Sequence, residues 1–188
     1  SVLDTRTIKG FARIKSSIFR PNWDGHYDKI LKNKLGRVWI VTYTKSEAKE
    51  YAQEHFRGIF AACLTPFNED GSPNEDGLRS NIRHWVDDLN IAGLFVNGKQ
   101  GEYFSMSLEE RKRQFEIFAE ETGDRCRTIM SCSDENLDTV LTLGQHAQDI
   151  GADWIIVHAP PLYFHQNVDA VLQEYYNYIA SKLDIGIA

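Results

Sequence analysis

The sequence predicts an α/β fold: a parallel sheet whose strands are joined by crossover helices. Three observations carry this. Short apolar runs begin at residues 58, 93, 127, 154 and 184, a repeat of about 30 residues. Between the runs lie segments whose apolar residues recur at helical spacing. The runs themselves are almost continuously apolar, as strands are when both faces are covered. Strand, helix, strand at this repeat implies right-handed crossovers.

The elements follow in order. The first strand is read over Gly58–Leu64, and Thr65-Pro66-Phe67 and a turn at 68–71 come next. Ser72 then suits an N-cap, with Pro73 at the first helical position and Glu75 completing a capping box. Leu78, Ile82, Trp85 and Leu89 make the buried face of that helix. The second strand spans 93–97. Its helix opens at Ser107, with Glu110 three residues on, and stops near Thr122-Gly123. The third strand is Arg127–Ser131, with Ser133 or Asp134 capping a helix whose stripe is Leu137, Val140, Leu141, Ala147 and Ile150. The fourth strand is Trp154–His158, followed by a helix with Val168, Val171, Leu172, Tyr175 and Ile179 inward. A fifth run begins at Asp184. Residues 1–57 form a separate N-terminal extension on a main unit of 58–188. Within it, 36–43 reads as a strand, the stretch around Arg20–Gly25 as a turn, and Ser46–Phe56 as a short helix. The extension is expected on the outside or the floor of the sheet.

Periodicity leaves two architectures open, a closed barrel and an open doubly wound sheet. No GxGxxG follows the first strand, which disfavours the dinucleotide-binding version of the second. At 188 residues the chain is short for a complete eight-fold βα barrel, which takes about 250. Charge divides unevenly. Residues 1–57 hold 12 Lys/Arg and 6 Asp/Glu, a net of +6, whereas 58–188 carry a net of −12. A basic arm on an acidic body suggests that one docks on the other, or on a neighbouring subunit. The dispersed positive charges and the lack of a nucleic-acid module argue against nucleic-acid binding. No run reaches the roughly 20 apolar residues of a membrane span. Three cysteines without CxxC spacing, and no signal-peptide pattern, point to a cytoplasmic protein. No His/Cys/Asp cluster has metal-ligand spacing, so neither metal nor cofactor is expected.

The loop after the second strand reads Gly98-Lys99-Gln100-Gly101-Glu102 and precedes Phe104-Ser-Met-Ser-Leu-Glu-Glu-Arg111. Together with Thr65-Pro66-Phe67 after strand one and Ala159-Pro160-Pro161-Leu162-Tyr163-Phe164 after strand four, this resembles the dihydrodipicolinate synthase and N-acetylneuraminate lyase family. The resemblance covers residues 58–188, in order and at matching separations. It implies a (β/α)8 TIM barrel of which this chain supplies the first four to five βα units. It also implies lyase or aldolase chemistry through a Schiff base between a lysine and pyruvate or a related 2-keto acid. That lysine, on the sixth strand, is expected beyond residue 188, and a homotetramer or homodimer is implied. A half barrel standing alone would leave an open sheet edge, so it is expected to need another half.

Site residues follow from the same loops. Glycines at strand ends let a ligand approach the backbone, and amides near Gly98 and Gly101 can hold a carboxylate. Lys99 either binds a substrate carboxylate, pairs with an acidic neighbour, or is itself an amine nucleophile. Gln100, Thr65 and His158 are expected at the pocket, His158 with a structural hydrogen-bonded reading beside the functional one. Glu102 is expected to brace the loop. Tyr163, with Phe164 one residue out of register, is the candidate for proton transfer. The resemblance puts two threonines where this chain has Lys99 and Gln100. The second threonine's hydroxyl serves a proton relay that glutamine cannot reproduce. That departure keeps a non-catalytic, keto-acid-binding or regulatory relative open.

Overall fold

The computed structural model describes residues 41–160 and 168–188. Four parallel strands, β1 (Phe60–Ala62), β2 (Gly93–Val96), β3 (Arg127–Ser131) and β4 (Trp154–Ile156), form one sheet in the order β1-β2-β3-β4. Phe60 lies opposite Gly93, Gly93 opposite Arg127, and Ile129 opposite Trp154. Ile187 bridges Ile155 in parallel, with Ile155 N–H donating to Gly186 and Ala188 N–H to Ile155, each at 3.0 Å. The run at Asp184 therefore opens a fifth position beside β4. This strictly sequential order decides between the two architectures. A doubly wound sheet reverses its order at a switch point, and this one does not. The sheet is part of a TIM barrel.

The helices are α1 (Ala48–His55), α2 (Glu75–Arg83), α3 (Leu108–Thr122), α4 (Leu137–Asp149) and α5 (Val168–Lys182). Neighbours in sequence are neighbours in space. Arg79 pairs with Glu120 and Glu121 at 2.6 and 2.7 Å, and Arg113 with Glu75 at 2.8 Å, joining α2 to α3. These pairs are largely at the surface and set orientation more than stability. Beneath them, Leu94, Val96, Met130 and Ile155 from the strands and Phe115, Ile117 and Leu143 from the helices are fully buried in one cluster.

Several elements depart from the sequence reading. The second helix is capped by Asn74, whose carboxamide accepts from Gly77 N–H at 2.8 Å, and not by Ser72. Ser72 is held in the preceding loop, where Asp70 takes its amide and hydroxyl and Phe67 bridges Pro73. Likewise Asn136, not Ser133 or Asp134, caps α4. The end of α2 widens into a π-turn over His84–Asp88, so Val86 is buried while Leu89 is 53% exposed. The wider turn rotates the helix end and swings Leu89 out of its predicted stripe. Strand β1 is shorter than read: Ile59 and Leu64 are 70% and 60% exposed. In α5 only Ile179 is fully buried. Of the strand read over 36–43, the described residues 41–43 are not extended in a sheet, and residues 36–40 lie outside the described residues, as does the turn around Arg20–Gly25.

Residues 43–56 pack at the floor, at the N-terminal ends of the strands. Tyr43 donates to the Asp153 carbonyl and accepts from Gly186 N–H at 2.9 Å. Burial, helped by the charges of Asp153 and Asp184 and opposed by the Gly186 hydrogen bond, pushes its pKa up to about 12. Tyr51 donates to the Asp153 carboxylate, which also pairs with Arg127 at 3.1 Å. Phe56 packs between Trp154 and Phe60, 5.3 Å from each. Glycines admit these rings: a Cβ on Gly93 would meet the Phe60 ring at 1.9 Å, and one on Gly186 would meet Trp154 at 2.4 Å. Gly93→Ala is therefore expected to destabilise the protein by about 1–3 kcal/mol. In a Phe60→Ala background the same change should cost far less. Urea midpoints of the four members of this cycle check it, and strict additivity would refute the contact.

Candidate functional site

Active sites of βα barrels lie at the C-terminal ends of the strands. Here those ends carry Thr65 after β1, Asn97–Glu102 after β2, Ser133-Asp134 after β3 and Val157–Pro160 after β4. The loop after β2 is sharply defined. Asn97, at φ +52°, leaves the strand in the left-handed region, and Glu102, at φ +54°, ends the turn in the same region. Between them Lys99–Gly101 make a single 3₁₀ turn, closed by Gly101 N–H to Gly98 at 3.0 Å and Glu102 N–H to Lys99 at 3.1 Å. The amides of Lys99 and Gln100 begin the turn and lie outside those bonds. Two non-glycine residues in the left-handed region cost about 1–2 kcal/mol each, so the surroundings must hold the turn in place.

They do so from β1 and α3. Thr65 Oγ donates to the Gly101 carbonyl at 2.8 Å. A Cβ on Gly101 would stand 3.0 Å from the Cys63 carbonyl, so only glycine lets the turn sit this close to β1. Gln114, 2% exposed, spans Thr65 and the Met106 sulfur. The hydroxyl of Thr65 is thus engaged with the loop. Lys99 and Gln100 are exposed, and among the described residues neither side chain has a hydrogen-bond or ion-pair partner. Glu102 is also exposed, and it shapes the loop through its backbone.

A buried cation ties the other strand ends together. Arg111 sits one residue beyond the Ser107–Glu110 capping box of α3, with its side chain 3% exposed. It pairs with Asp134 at 2.9 Å, donates to the Ser133 and Ser131 carbonyls at 2.8 and 3.4 Å, and stacks over Tyr103 at 5.0 Å. Asn97 Nδ2 in turn donates to the Arg111 carbonyl at 3.2 Å. Burial lowers the pKa of Arg111, and the charge of Asp134 opposes that shift.

Ser133 links this network to the end of β4. Its Oγ accepts from His158 N–H at 3.0 Å, lies 3.0 Å from His158 Nδ1, and lies 3.2 Å from Ser131 Oγ. The His158 residue itself is exposed. Tyr163, Phe164 and His165 lie outside the described residues. Thr65 and Gly98–Glu102 are brought together, and His158 stands two strands away. Sequence patterning assigns Arg111, Asn97 and Gln114 no role at the site, and offers Ser133 only as a helix cap. One signal was available for Arg111, since a cation near a helix N-terminus opposes the helix dipole and calls for a specific partner. Cys63, Cys126 and Cys132 are buried thiols. Burial raises all three, Cys126 to about 11 and the other two further. They are core packing and not nucleophiles. Among the described residues no group of His, Cys, Asp and Glu could hold a metal ion, and no helix is long and apolar enough to cross a membrane.

Residues 55–187 match the model of the dihydrodipicolinate synthetase family. An N-acetylneuraminate lyase of Actinobacillus pleuropneumoniae is 36% identical over 129 residues, 69% of this chain and 44% of that protein. The crystal structure of N-acetylneuraminate lyase from Fusobacterium nucleatum superposes with a TM-score of 0.65 at 34% identity, over 70% of this chain and 44% of that one. A prophage protein of the dihydrodipicolinic acid synthase family from E. coli K12, solved in complex with pyruvate, has a TM-score of 0.65 at 27% identity, over 70% and 43%. The chain spans less than half the length of these relatives.

Two expectations follow. Arg111→Met should destabilise by about 3 kcal/mol, the lower end for a broken buried pair because Asp134 keeps some solvent. Adding Asp134→Asn should recover part of the loss, with urea unfolding as the measure. The three thiols should stay unreactive toward Ellman's reagent until the protein unfolds, and fast labelling of the native state would contradict their burial.

Proposed function

The chain belongs to the dihydrodipicolinate synthetase family, and from that premise we propose that the protein is a lyase or aldolase that forms a Schiff base with pyruvate or a related 2-keto acid. The observation that carries this reading is the turn Gly98–Glu102 at the C-terminal end of β2, in a sheet whose strands run in barrel order. Its opening amides supply donors for a carboxylate without a side-chain charge. Gly98 and Gly101 keep the backbone accessible, and Thr65 fixes the turn from the neighbouring strand end. In this reading the keto-acid carboxylate rests on the Lys99–Gln100 backbone, and Tyr163 moves protons. The imine-forming lysine belongs to the sixth strand, beyond residue 188, and among the described residues no lysine lies in a strand. The protonated imine then serves as the electron sink while the carbon–carbon bond forms or breaks. The oligomer is a homotetramer or homodimer, and the setting is cytoplasmic.

Lys99 adds a free ammonium at the mouth, suited to an anionic substrate group. One observation favours a second reading. Gln100 stands where the resemblance expects a threonine hydroxyl, so a keto-acid-binding protein that forms no imine is the alternative. Borohydride reduction of the full-length protein with pyruvate separates the two. The expected result is a mass increase of one reduced pyruvate, on a peptide containing none of Lys45, Lys49, Lys99, Lys112 or Lys182, and retained in Lys99→Ala. Calorimetric binding of pyruvate with no trapped adduct would establish the second reading instead.

A further inference from the structure

Thr65 holds the Gly98–Glu102 turn at its end, where Oγ donates to the Gly101 carbonyl. The start of the turn hangs from Asn97, which leaves β2 at φ +52°. Glycine enters that region without strain, and asparagine is one of the few other residues that enter it readily. Asn97 is only 2% exposed, so its carboxamide is buried as well. Nδ2 donates to the Arg111 carbonyl at 3.2 Å, whereas among the described residues Oδ1 has no partner. A buried acceptor without a partner is destabilising. Glycine would allow the same turn and leave no such orphan. What asparagine adds over glycine is the bond from Nδ2.

That bond ends on a fixed point. The Arg111 N–H donates to the Ser107 carbonyl at 3.0 Å, and its buried guanidinium is gripped by Asp134 and the Ser133 carbonyl. On its other side the turn lies close against the sheet: a Cβ on Gly98 would stand 2.9 Å from the ring of Phe95, which faces inward from β2. Asn97 therefore ties a turn at the barrel interior to the backbone of a helix outside the sheet. A left-handed backbone and an unmet acceptor persist together only where the surroundings impose them, and such positions cluster at binding sites. The amides of Lys99 and Gln100 follow directly after Gly98. Amides that hold an anion without help from a side-chain charge bind well when their directions are set before the ligand arrives.

Resting on the keto-acid reading above, we infer that Asn97 is a positioning residue for keto-acid binding: its carboxamide latches the start of the turn to the α3 backbone and so sets the affinity for the substrate carboxylate. Asn97 does not touch the substrate. It acts through the Lys99 and Gln100 amides, as Thr65 does from the other end of the turn.

The test uses the full-length protein and borohydride trapping over a range of pyruvate concentrations. The half-saturating concentration reports affinity, and the extent of trapping at saturation reports the fraction of competent protein. Asn97→Gly keeps the backbone free to adopt φ +52° and removes the latch alone. It should raise the half-saturating concentration about fivefold, the effect of one neutral hydrogen bond, with the extent at saturation unchanged. Thr65→Val, which releases the other end, should act in the same direction. Asn97→Ala loses the latch and the left-handed tolerance together. It should raise the half-saturating concentration at least as far and lower the urea midpoint as well. If the wild type binds pyruvate without forming an adduct, the same shift is read in the calorimetric Kd. An unchanged pyruvate affinity in Asn97→Gly overturns this inference alone. So does a lower extent of trapping at unchanged half-saturation, which marks Asn97 as a purely structural residue. A wild type that neither traps nor binds pyruvate overturns the keto-acid reading and this inference with it.

Discussion

A parallel strand in a barrel has two faces to cover, and the structure follows from how each is covered. The outward face is fully served: Leu94, Val96, Met130 and Ile155 are 0% exposed against the helices. The inward face is served unevenly. At the floor it carries Phe60, Trp154 and Arg127, covered by Tyr43, Tyr51 and Phe56 from the segment before β1. Further up, Ala62 is exposed and Phe95, Ile129 and Ile156 are half-buried. Leu64 continues the inward parity of β1 and is largely exposed. An apolar inner face of this kind is what the facing strands of a closed barrel cover. The sequential order of strands also puts consecutive helices side by side, which explains the run of ion pairs between α2 and α3.

At the mouth, the covering groups are polar, and Arg111 organises them. Burying a guanidinium is costly, and the gain from one carboxylate rarely exceeds that cost. Asp134, two carbonyls and the Tyr103 ring together satisfy most of its donors. What the arrangement provides is placement. One side chain anchored in α3 sets the carbonyls after β3, and through Asn97 its own backbone anchors the departure from β2. Loops that carry chemistry are held by such contacts to rigid elements, since a loop has few packing interactions of its own.

The elements legible in the sequence are those where a single local pattern had no competitor. β3 matches its reading residue for residue, and the Ser107–Glu110 box opens α3 as read. Caps were misread where two candidates stood close together. Ser72 and Asn74 both suit an N-cap, and the choice fell to Asn74 because Pro66 takes its amide and Asp70 takes Ser72. Ser133 and Asp134 were lost to Asn136 for a tertiary reason: one is turned to His158 and the other to Arg111. Leu89 left its stripe because a π-turn breaks the period on which the stripe was counted. Barrel order was not readable from spacing, because a repeat of strands and helices does not record which strand pairs with which. The loop Gly98–Glu102 was readable as a motif, whereas its supports were not. Gln114 and Arg111 look like ordinary helix-surface residues until β1 and β3 are placed beside them.

Floor and mouth are separate systems joined by short strands. The strands are three to five residues long, so at most about 17 Å lies between the Asp153 cluster below and Ser133 above. No polar network spans that distance among the described residues; the layers between are Ala62, Phe95, Ile129 and the outward core. Apolar layers transmit little electrostatic information but resist compression. The floor can therefore carry the tyrosine and arginine contacts of the preceding segment without disturbing the hydrogen bonding around His158. The mouth, in turn, can exchange hydroxyls for Lys99 and Gln100 without loss of fold. That independence is the physical reason a family can share one sheet and differ at its loops. The residues that depart from the resemblance, Lys99 and Gln100, sit on an exposed turn held by its backbone and by Thr65. Their side chains are the part of the site that the scaffold leaves free to vary.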